Sequence, residues 1–195
     1  MPRLFTGLEI PADIGARLSL LRGGLTDARW IEPADYHMTL RFLGDVDRAT
    51  ANEVWEALSS VRRAPLELTI DEIASFGGDK PRSIMARVAP SAALSTLQAD
   101  HEQLMRRIGL PPEPRKFVAH VTLARLRNVS SLAVAEYLAL RALPQPLRFT
   151  ARRFVLYSAR ASTGGGPYLV EASYPLDDIQ PTAPAQPEIE PWPHR

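Results

Sequence analysis

The spacing of hydrophobic residues changes repeatedly along the chain and predicts strands and helices in alternation. Stretches in which apolar and polar residues alternate predict strands. Stretches with apolar residues three or four positions apart predict helices, which end at glycine or proline. The predicted strands are LFTGLEI, HMTLRFLG, PLELTIDEIASFGG, SIMARVAP, FVAHVTLARL, LRFTARRFVLYSAR and GPYLVEASYPL. The predicted helices are PADIGARLSLLRGG, RATANEVWEALSSVRR, SAALSTLQADHEQLMRRIG and SSLAVAEYLALRAL.

One order of elements occurs twice in this pattern. A strand with the sequence His-x-Thr, at His37 and again at His120, is followed each time by a helix, and the two histidines are 83 residues apart, which is 120 minus 37. This recurrence indicates an internal duplication, although the overall similarity between the halves is weak. In a regular strand His37, Thr39 and Arg41 share one face, and His120 and Thr122 share a face in the same way. The same polar pair is therefore presented twice.

Two imidazoles and two hydroxyls suit acid–base catalysis. One imidazole accepts a proton while the other donates one to a leaving oxygen, because histidine holds either state near neutral pH. Displacement at phosphorus and at an acyl carbon both fit, but hydroxyl and arginine donors to phosphoryl oxygens favour phosphorus. A lone histidine is more commonly structural, and we predict this for His101 and His194, which lack the companion threonine.

Composition narrows the alternatives. The chain contains no cysteine, which excludes disulfides, a thiolate nucleophile and zinc sites built on cysteine. A histidine zinc site needs a third ligand, and Glu32 and Asp35 lie in a turn without short-range ligand spacing, so we predict no metal. The net charge is only +1, which provides no broad surface for long nucleic acid. We expect a cytoplasmic protein without a membrane partner, because no secretory signal or long apolar run is evident.

The chain is expected to form one domain followed by a tail. Its 195 residues fall in the range of a single globular domain, which we place at residues 1–176. From Asp177 onward the composition changes, with five prolines between Pro181 and Pro193. This composition predicts a flexible or extended tail over residues 177–195.

Three stretches together resemble a known family. ARWIEPADYHMTLRFLGDV, RKFVAHVTLARL and the closing RRFVLYSAR with GPYLVEASYPL resemble the 2H phosphoesterase superfamily. Within it, the likeness is to the RNA 2',3'-cyclic phosphodiesterases, also known as 2'-5' RNA ligases, and covers residues 3–176 in the family's order. The resemblance implies a bilobal, duplicated α+β fold. Two antiparallel sheets related by pseudo-twofold symmetry would line a central cleft, with helices on the outside.

The resemblance also implies an activity and roles for individual residues. The reaction is hydrolysis of RNA 2',3'-cyclic phosphate termini to 2'-phosphate ends, without a metal or another cofactor. Carried over by position, His37 is the proton donor to the departing 3' oxygen and His120 the proton acceptor from water. Thr39, Thr122 and Arg125 bind the substrate phosphate. The partner is an RNA end or a small cyclic nucleotide, and we expect a monomer.

The side-chain directions of two arginines remain open. Arg125 is five residues from His120, so a regular strand points it to the opposite face. Either the strand ends or bulges near Ala124, or Arg125 acts from the rim. In a regular strand Arg41 points to the same face as His37 and could therefore bind the phosphate. The alternative is that Arg41 forms a solvated ion pair.

Aromatic residues offer stacking platforms for a nucleobase. Phe42 lies on the apolar face and is expected in the core. Tyr157 and Tyr168 are expected to pack within the protein, with base stacking as the alternative.

Other activities remain open as well. The substrate alternatives are a 2'-5' oligoadenylate or an ADP-ribose cyclic phosphate, and an RNA-end-binding module without catalysis is the non-enzymatic one. Reverse 2'-5' RNA ligation is also implied by the family.

Overall fold

The computed structural model describes residues 3–159 and 166–177, which form an α+β protein. Of the predicted tail, residues 178–195 lie outside the described residues. None of the described helices has the length and apolar character needed to cross a membrane. The strands are β1 (Arg3–Glu9), β2 (Ala28–Trp30), β3 (His37–Asp45), β4 (Leu66–Phe76), β5 (Ser83–Val88), β6 (His120–Leu126), β7 (Leu147–Ala151), β8 (Arg153–Ala159) and β9 (Tyr168–Pro175). The helices are α1 (Ala12–Ser19), α2 (Arg48–Leu58), α3 (Ala92–Arg107) and α4 (Ser131–Leu140), with a short 3-10 helix at Pro33–Asp35.

The strands form one antiparallel sheet in which β3 and β6, the two His-x-Thr strands, are central neighbours. The order is β7-β4-β5-β6-β3-β1-β8-β9, and β2 also pairs with β6. Met38 and Val121 form the single pair recorded between β3 and β6 in the described part of the chain. The sheet therefore has two lobes, β6 with β5, β4 and β7, and β3 with β1, β8 and β9. The predicted α+β fold is confirmed, and the two predicted sheets are the two lobes of this one sheet.

The helices bury the apolar side chains on one face of the sheet. Helix α3 packs against β3, and its buried residues recur at spacings of three and four. In this core His101 is fully buried, and its Nδ1 lies 2.8 Å from Oγ1 of Thr6 on β1. His101 is thus a structural residue, as expected. Three helices begin after a residue whose side chain accepts a hydrogen bond from the backbone N–H three positions on: Asp47, Ser91 and Ser130.

One predicted strand is wrong, because LRFTARRFVLYSAR forms two strands that belong to different lobes. Strand β7 ends at Ala151 and pairs with β4, whereas β8 begins at Arg153 and pairs with β1. The chain crosses between the lobes at Arg152. Strand β7 alternates between buried and more exposed residues, whereas β8 contains a continuous run of buried residues from Phe154 to Ser158. Strand β2 was not predicted, because three residues are too few to show a period.

Candidate active site

The centre of the sheet brings the two predicted motifs together. Met38 of β3 lies opposite Val121 of β6, and both side chains are fully buried in the core that the helices cover, here called the helix face. Successive residues of a strand point to opposite faces of the sheet. His37 and His120 each precede this pair by one residue, so they lie on the other face, here called the histidine face.

The two threonines also lie on the histidine face. Thr39 and Thr122 each follow the central pair by one residue, and both are half-buried. The antiparallel register of the pair, extended by one residue in each direction, sets His37 opposite Thr122 and His120 opposite Thr39. The histidines and threonines of both motifs therefore share one face of the sheet. Hydroxyls are hydrogen-bond donors, so both can bind one anion placed between the lobes.

The two imidazoles are held by the same kind of hydrogen bond. Nδ1 of His37 lies 2.8 Å from the carbonyl oxygen of Asp35, and Nδ1 of His120 lies 2.6 Å from that of Val118. A carbonyl oxygen only accepts, so each Nδ1 carries a proton and donates it. The lone pair of the neutral ring is then on Nε2. Both histidines thus present the nitrogen that can accept a proton, or donate one after protonation.

Burial and positive charge favour the neutral form of both imidazoles. Burial lowers the pKa of His37 to about 4, and the positive charges of His120 and Arg125 act in the same direction. Burial likewise lowers the pKa of His120, and Arg125 lowers it further. The two rings and one guanidinium therefore influence one another electrostatically. This electrostatic coupling supports a single shared site.

A β-bulge in β6 places Arg125 on the histidine face. Thr122 and Ala124 pair with consecutive residues of β5, so Leu123 is an extra residue in β6. Leu123 and Ala124 are accordingly both buried, and Arg125 is exposed. Because Leu123 is an extra residue, the side chains that follow it point to the opposite face from the one a regular strand would give. Arg125 therefore lies on the face of His120. Of the alternatives left by the sequence, the bulge is the one that the structure contains.

A matching bulge in β3 sends Arg41 to the helix face, so the predicted parity of Arg41 is wrong. Thr39 and Arg41 pair with consecutive residues of β1, which makes Leu40 the extra residue. Arg41 is only 5% exposed, and its Nε lies 2.5 Å from Oε2 of Glu102 on α3. Its guanidinium also donates to the carbonyl oxygen of Pro111. Arg41 forms a structural ion pair on the side of the sheet away from the histidines.

The same bulge brings Phe42 to the histidine face, so its predicted place in the core is also wrong. Phe42 is 44% exposed, and its ring centroid lies 5.7 Å from that of Phe5. Phe42 is four residues after Met38, and Arg125 is four residues after Val121. The two lobes therefore carry an aromatic ring and a guanidinium at equivalent positions, which makes the site asymmetric.

Aromatic rings surround His37 on the histidine face. The imidazole centroid lies 4.9 Å from the ring of Phe5, 5.5 Å from that of Tyr157 and 4.8 Å from that of Tyr168. Phe5 and Tyr157 are stacked with centroids 4.9 Å apart. We call Phe5, Tyr157 and Tyr168 the aromatic wall. The tyrosines pack within the protein, as expected, and the ring they enclose is the imidazole of His37.

His120 has a smaller aromatic neighbourhood. Its ring centroid lies 4.8 Å from that of Phe76 on β4, with the rings nearly perpendicular. Sequence analysis did not single out Phe5 or Phe76. The alternation in β1 places Phe5 on the face of Gly7 and Glu9, but which sheet face carries the histidines is known only once the strands are paired.

Asp35 connects His37 to the aromatic wall. Its backbone carbonyl anchors the imidazole, and its Oδ1 accepts a hydrogen bond of 3.1 Å from the backbone N–H of Tyr168. Gly166 has a φ of +82°, a conformation that favours glycine, and a Cβ there would displace the carboxylate of Asp35. A cavity of about 130 Å³ adjoins this contact, lined by Glu9, Ile10, Ala34, Asp35, Tyr36, Tyr157, Tyr168 and Val170.

Glu32 and Asp35, the acidic residues near the first motif, interact with an arginine and with a backbone N–H. Oε1 of Glu32 lies 2.7 Å from Nη2 of Arg22 on the surface, and Asp35 accepts from Tyr168 as described. Within residues 3–159 and 166–177, no three His, Asp or Glu side chains converge in the manner of a metal site.

A protein-family model matches both lobes. The model, described as LigT like phosphoesterase, matches residues 8–85 and 87–168, so each matched segment contains one His-x-Thr strand. The chain belongs to the LigT-like phosphoesterase family. The resemblance to the 2H phosphoesterases and the prediction of a phosphoesterase are thereby confirmed.

Named relatives and solved structures agree with this family. The chain is 30% identical over 122 residues to the RNA 2',3'-cyclic phosphodiesterase of Aeropyrum pernix, covering 60% of this chain and 69% of that protein. It is 29% identical over 130 residues to the Bacillus subtilis protein of the same name, covering 64% and 71%. Escherichia coli LigT complexed with 3'-AMP superposes with a TM-score of 0.73 at 22% identity, covering 91% of this chain and 100% of that one. TT0787 of Thermus thermophilus gives a TM-score of 0.74 at 19% identity, covering 89% and 97%. These structures share the fold of the LigT-like chain.

Proposed function

We propose that this LigT-like phosphoesterase hydrolyses RNA 2',3'-cyclic phosphate termini to 2'-phosphate ends. The observation that carries the proposal is the pair of imidazoles, His37 and His120, each anchored through Nδ1 on one face of the sheet. Acid–base hydrolysis needs two such proton-transfer groups at one phosphorus atom. The names of the Aeropyrum and Bacillus relatives support the choice of substrate.

The reaction requires two proton transfers. The oxygen of water forms a bond to phosphorus while Nε2 of His120 accepts a proton from that water. The bond between phosphorus and the 3' oxygen breaks, and its electron pair stays on the oxygen, which receives a proton from Nε2 of His37. The phosphate remains on the 2' oxygen. His37 ends neutral and His120 ends protonated, so proton exchange with solvent restores the starting state.

The proton donor must carry its proton when the substrate is bound. In the ligand-free protein burial holds the pKa of His37 at about 4, so the ring is neutral at pH 7. A bound cyclic phosphate adds a negative charge beside both imidazoles, and a nearby opposite charge favours the protonated form. We therefore assign the protonation of His37 to the complex with substrate rather than to the unbound enzyme.

The phosphate contacts come from both lobes. Thr39 and Thr122 donate hydrogen bonds to the non-bridging oxygens, and Arg125 neutralises the charge that develops on them. Arg41 is not part of this set, since its guanidinium is bound to Glu102 on the helix face.

The same site accommodates related reactions. The 5' hydroxyl of an RNA strand in place of water gives a 2'-5' bond through the same two proton transfers. A 2'-5' oligoadenylate or an ADP-ribose cyclic phosphate presents the same chemistry at phosphorus. An RNA-end-binding module would retain the contacts without turnover.

The decisive experiment is incubation of the chain with an oligoribonucleotide that ends in a 2',3'-cyclic phosphate, followed by mapping of the product terminus. We expect a 2'-phosphate. A 3'-phosphate would exchange the roles of His37 and His120, and binding without turnover would favour the module. Parallel reactions with a strand bearing a 5' hydroxyl and with a 2'-5' oligoadenylate test the two related reactions.

A further inference from the structure

The two imidazoles are anchored in the same way, but by residues with different side chains. In each lobe Nδ1 of the histidine donates to the carbonyl oxygen of the residue two positions earlier, which is Asp35 for His37 and Val118 for His120. The two anchors therefore occupy equivalent positions in the duplicated fold. One lobe has a carboxylate at this position, whereas the other has an isopropyl group.

The carboxylate of Asp35 is bound to the strand that carries part of the aromatic wall. Its Oδ1 accepts a hydrogen bond of 3.1 Å from the backbone N–H of Tyr168, whose ring centroid lies 4.8 Å from that of His37. Asp35 thus holds the imidazole through its own backbone and holds the backbone of the adjacent ring through its side chain. The side chain of Val118 is exposed and has no group that can form a hydrogen bond.

The carboxylate also changes the electrostatic environment of one imidazole. Burial lowers the pKa of His37, whereas the hydrogen bond to the Asp35 carbonyl and the negative charge of the Asp35 carboxylate both raise it. Burial likewise lowers the pKa of His120, the hydrogen bond to the Val118 carbonyl raises it, and the charge of Arg125 lowers it. The two anchoring hydrogen bonds therefore act alike, and the carboxylate favours the protonated form of His37 alone.

Other ionisable groups also face the two imidazoles. Glu9 of β1 lies opposite the first histidine and forms an ion pair with Arg153, and Arg87 of β5 lies opposite the second and forms an ion pair with Glu72. The two tyrosines of the aromatic wall are neutral near pH 7, because burial raises the pKa of both phenols. Arg125 lowers the pKa of both imidazoles. Among the charged groups in the described part of the chain, only the Asp35 carboxylate raises the pKa of one catalytic imidazole.

We propose that Asp35 is a positioning residue that prepares His37, rather than His120, to donate the proton. This inference rests on the proposed function, in which His37 protonates the departing 3' oxygen. The donor must hold its proton in the complex with substrate, and a negative charge near the ring favours that state. The acceptor must be neutral, and the apolar side chain of Val118 adds no charge that would keep His120 protonated. The hydrogen bond to Tyr168 keeps the Asp35 carboxylate in place.

Two substitutions of Asp35 separate its charge from its hydrogen bond. Asp35→Asn keeps an oxygen that can accept from Tyr168 and should lower kcat at pH 7 by about two- to fivefold, the range for one partly solvated charge pair. Asp35→Ala removes both interactions and should lower kcat by about tenfold, part of the contribution of a positioned acid. KM should stay within about twofold in both, because Asp35 does not bind the phosphate. Asp13→Ala, at an exposed aspartate of α1, is the matched control and should leave kcat unchanged. Full activity of Asp35→Ala would overturn the proposal.

A change of leaving group distinguishes proton donation from a merely structural role. In a cyclic substrate with sulfur in place of the 3' oxygen, the bond between phosphorus and sulfur breaks and its electron pair stays on sulfur. A thiol has a pKa of about 8.5, so the thiolate can leave without receiving a proton. The loss of kcat in Asp35→Ala should therefore shrink from about tenfold to about twofold. An equal loss on both substrates would mean that Asp35 only supports the fold, and would overturn the proposal.

NMR titration of the ligand-free chain separates this inference from the proposed function, because it needs no turnover. Asp35→Asn should lower the pKa of His37 and leave that of His120 nearly unchanged. Val118→Asp places a carboxylate at the equivalent anchor and should raise the pKa of His120 instead. If the unaltered chain hydrolyses no cyclic phosphate, the proposed function fails, while the titrations still decide whether Asp35 favours protonated His37. An unchanged pKa of His37 in Asp35→Asn overturns the inference even if hydrolysis is observed.

Discussion

Met38 of β3 and Val121 of β6 face each other across the centre of the sheet and form the pair that joins the two lobes in the described part of the chain. Neither side chain has exposed surface. His37 and His120 lie one residue away on the opposite face. The distance between the proposed acid and base therefore depends on the packing of two apolar side chains on the far side of the sheet.

The first prediction separates this positioning role from general stability. Met38→Ala should lower the free energy of unfolding by about 2–5 kcal/mol, because it leaves a cavity in a packed core. It should also lower kcat/KM, because the two motif strands lose their common packing. Urea denaturation and steady-state kinetics measure the two effects.

Met105 of α3 is the matched control, since it is equally buried but lies in a helix. Met105→Ala should cost a similar free energy of unfolding and leave kcat/KM per folded molecule within about twofold. If Met38→Ala and Met105→Ala have the same kinetics, the central pair is only a structural contact.

The second prediction concerns the two imidazoles. His37→Ala and His120→Ala should each lower kcat on the cyclic phosphate by about 10²–10⁴-fold, the usual contribution of a positioned acid or base. The buried His101 supplies the contrast, because His101→Gln should lower Tm while kcat per folded molecule stays near that of the unaltered chain. EDTA should leave the rate unchanged. A single histidine variant that retains full activity would rule out the two-histidine mechanism.

The third prediction is a pH profile. The profile of kcat/KM should be bell-shaped, because it reports the pKa values of the unbound enzyme and the reaction needs a neutral proton acceptor and a protonated donor. Both pKa values lie below the ordinary 6.5, that of His37 at about 4, so the maximum should lie below pH 6.5 and the rate should fall as pH rises. The profile of kcat should lie at higher pH, because the bound phosphate raises both pKa values. A maximum of kcat/KM above pH 7 would contradict the burial of neutral imidazoles.

The β-bulges explain which parts of this site the sequence predicts. Alternation correctly places His37 and Thr39 on one face, because the strand is regular up to that point. Beyond Thr39 it fails, since Leu40 is an extra residue that is itself apolar and leaves no gap in the pattern. The bulge in β6 is visible in the sequence, because two consecutive apolar residues, Leu123 and Ala124, precede the charged Arg125 and interrupt the alternation.

Strand pairing is the other part that the pattern does not contain. The contact of Met38 with Val121 and the position of Arg29 beside Arg125 arise between segments far apart in the chain. Periodicity describes the faces of one strand and not its neighbours. The two His-x-Thr motifs could therefore be singled out from the sequence, whereas the asymmetry of the site required the paired sheet.

The fourth prediction uses the two arginines whose directions the bulges reverse. Arg41→Gln removes the partner of Glu102 and should lower the free energy of unfolding by about 3 kcal/mol, as for a broken buried ion pair, with little change in KM. Arg125→Gln should leave the urea midpoint nearly unchanged, because Arg125 is exposed, but should lower kcat/KM by at least tenfold through lost phosphate contacts. It should also raise the pKa of His37, seen by NMR titration, because a positive charge that disfavours the imidazolium is removed. If Arg41→Gln weakened substrate binding and Arg125→Gln did not, the assignment of the two faces would be incorrect.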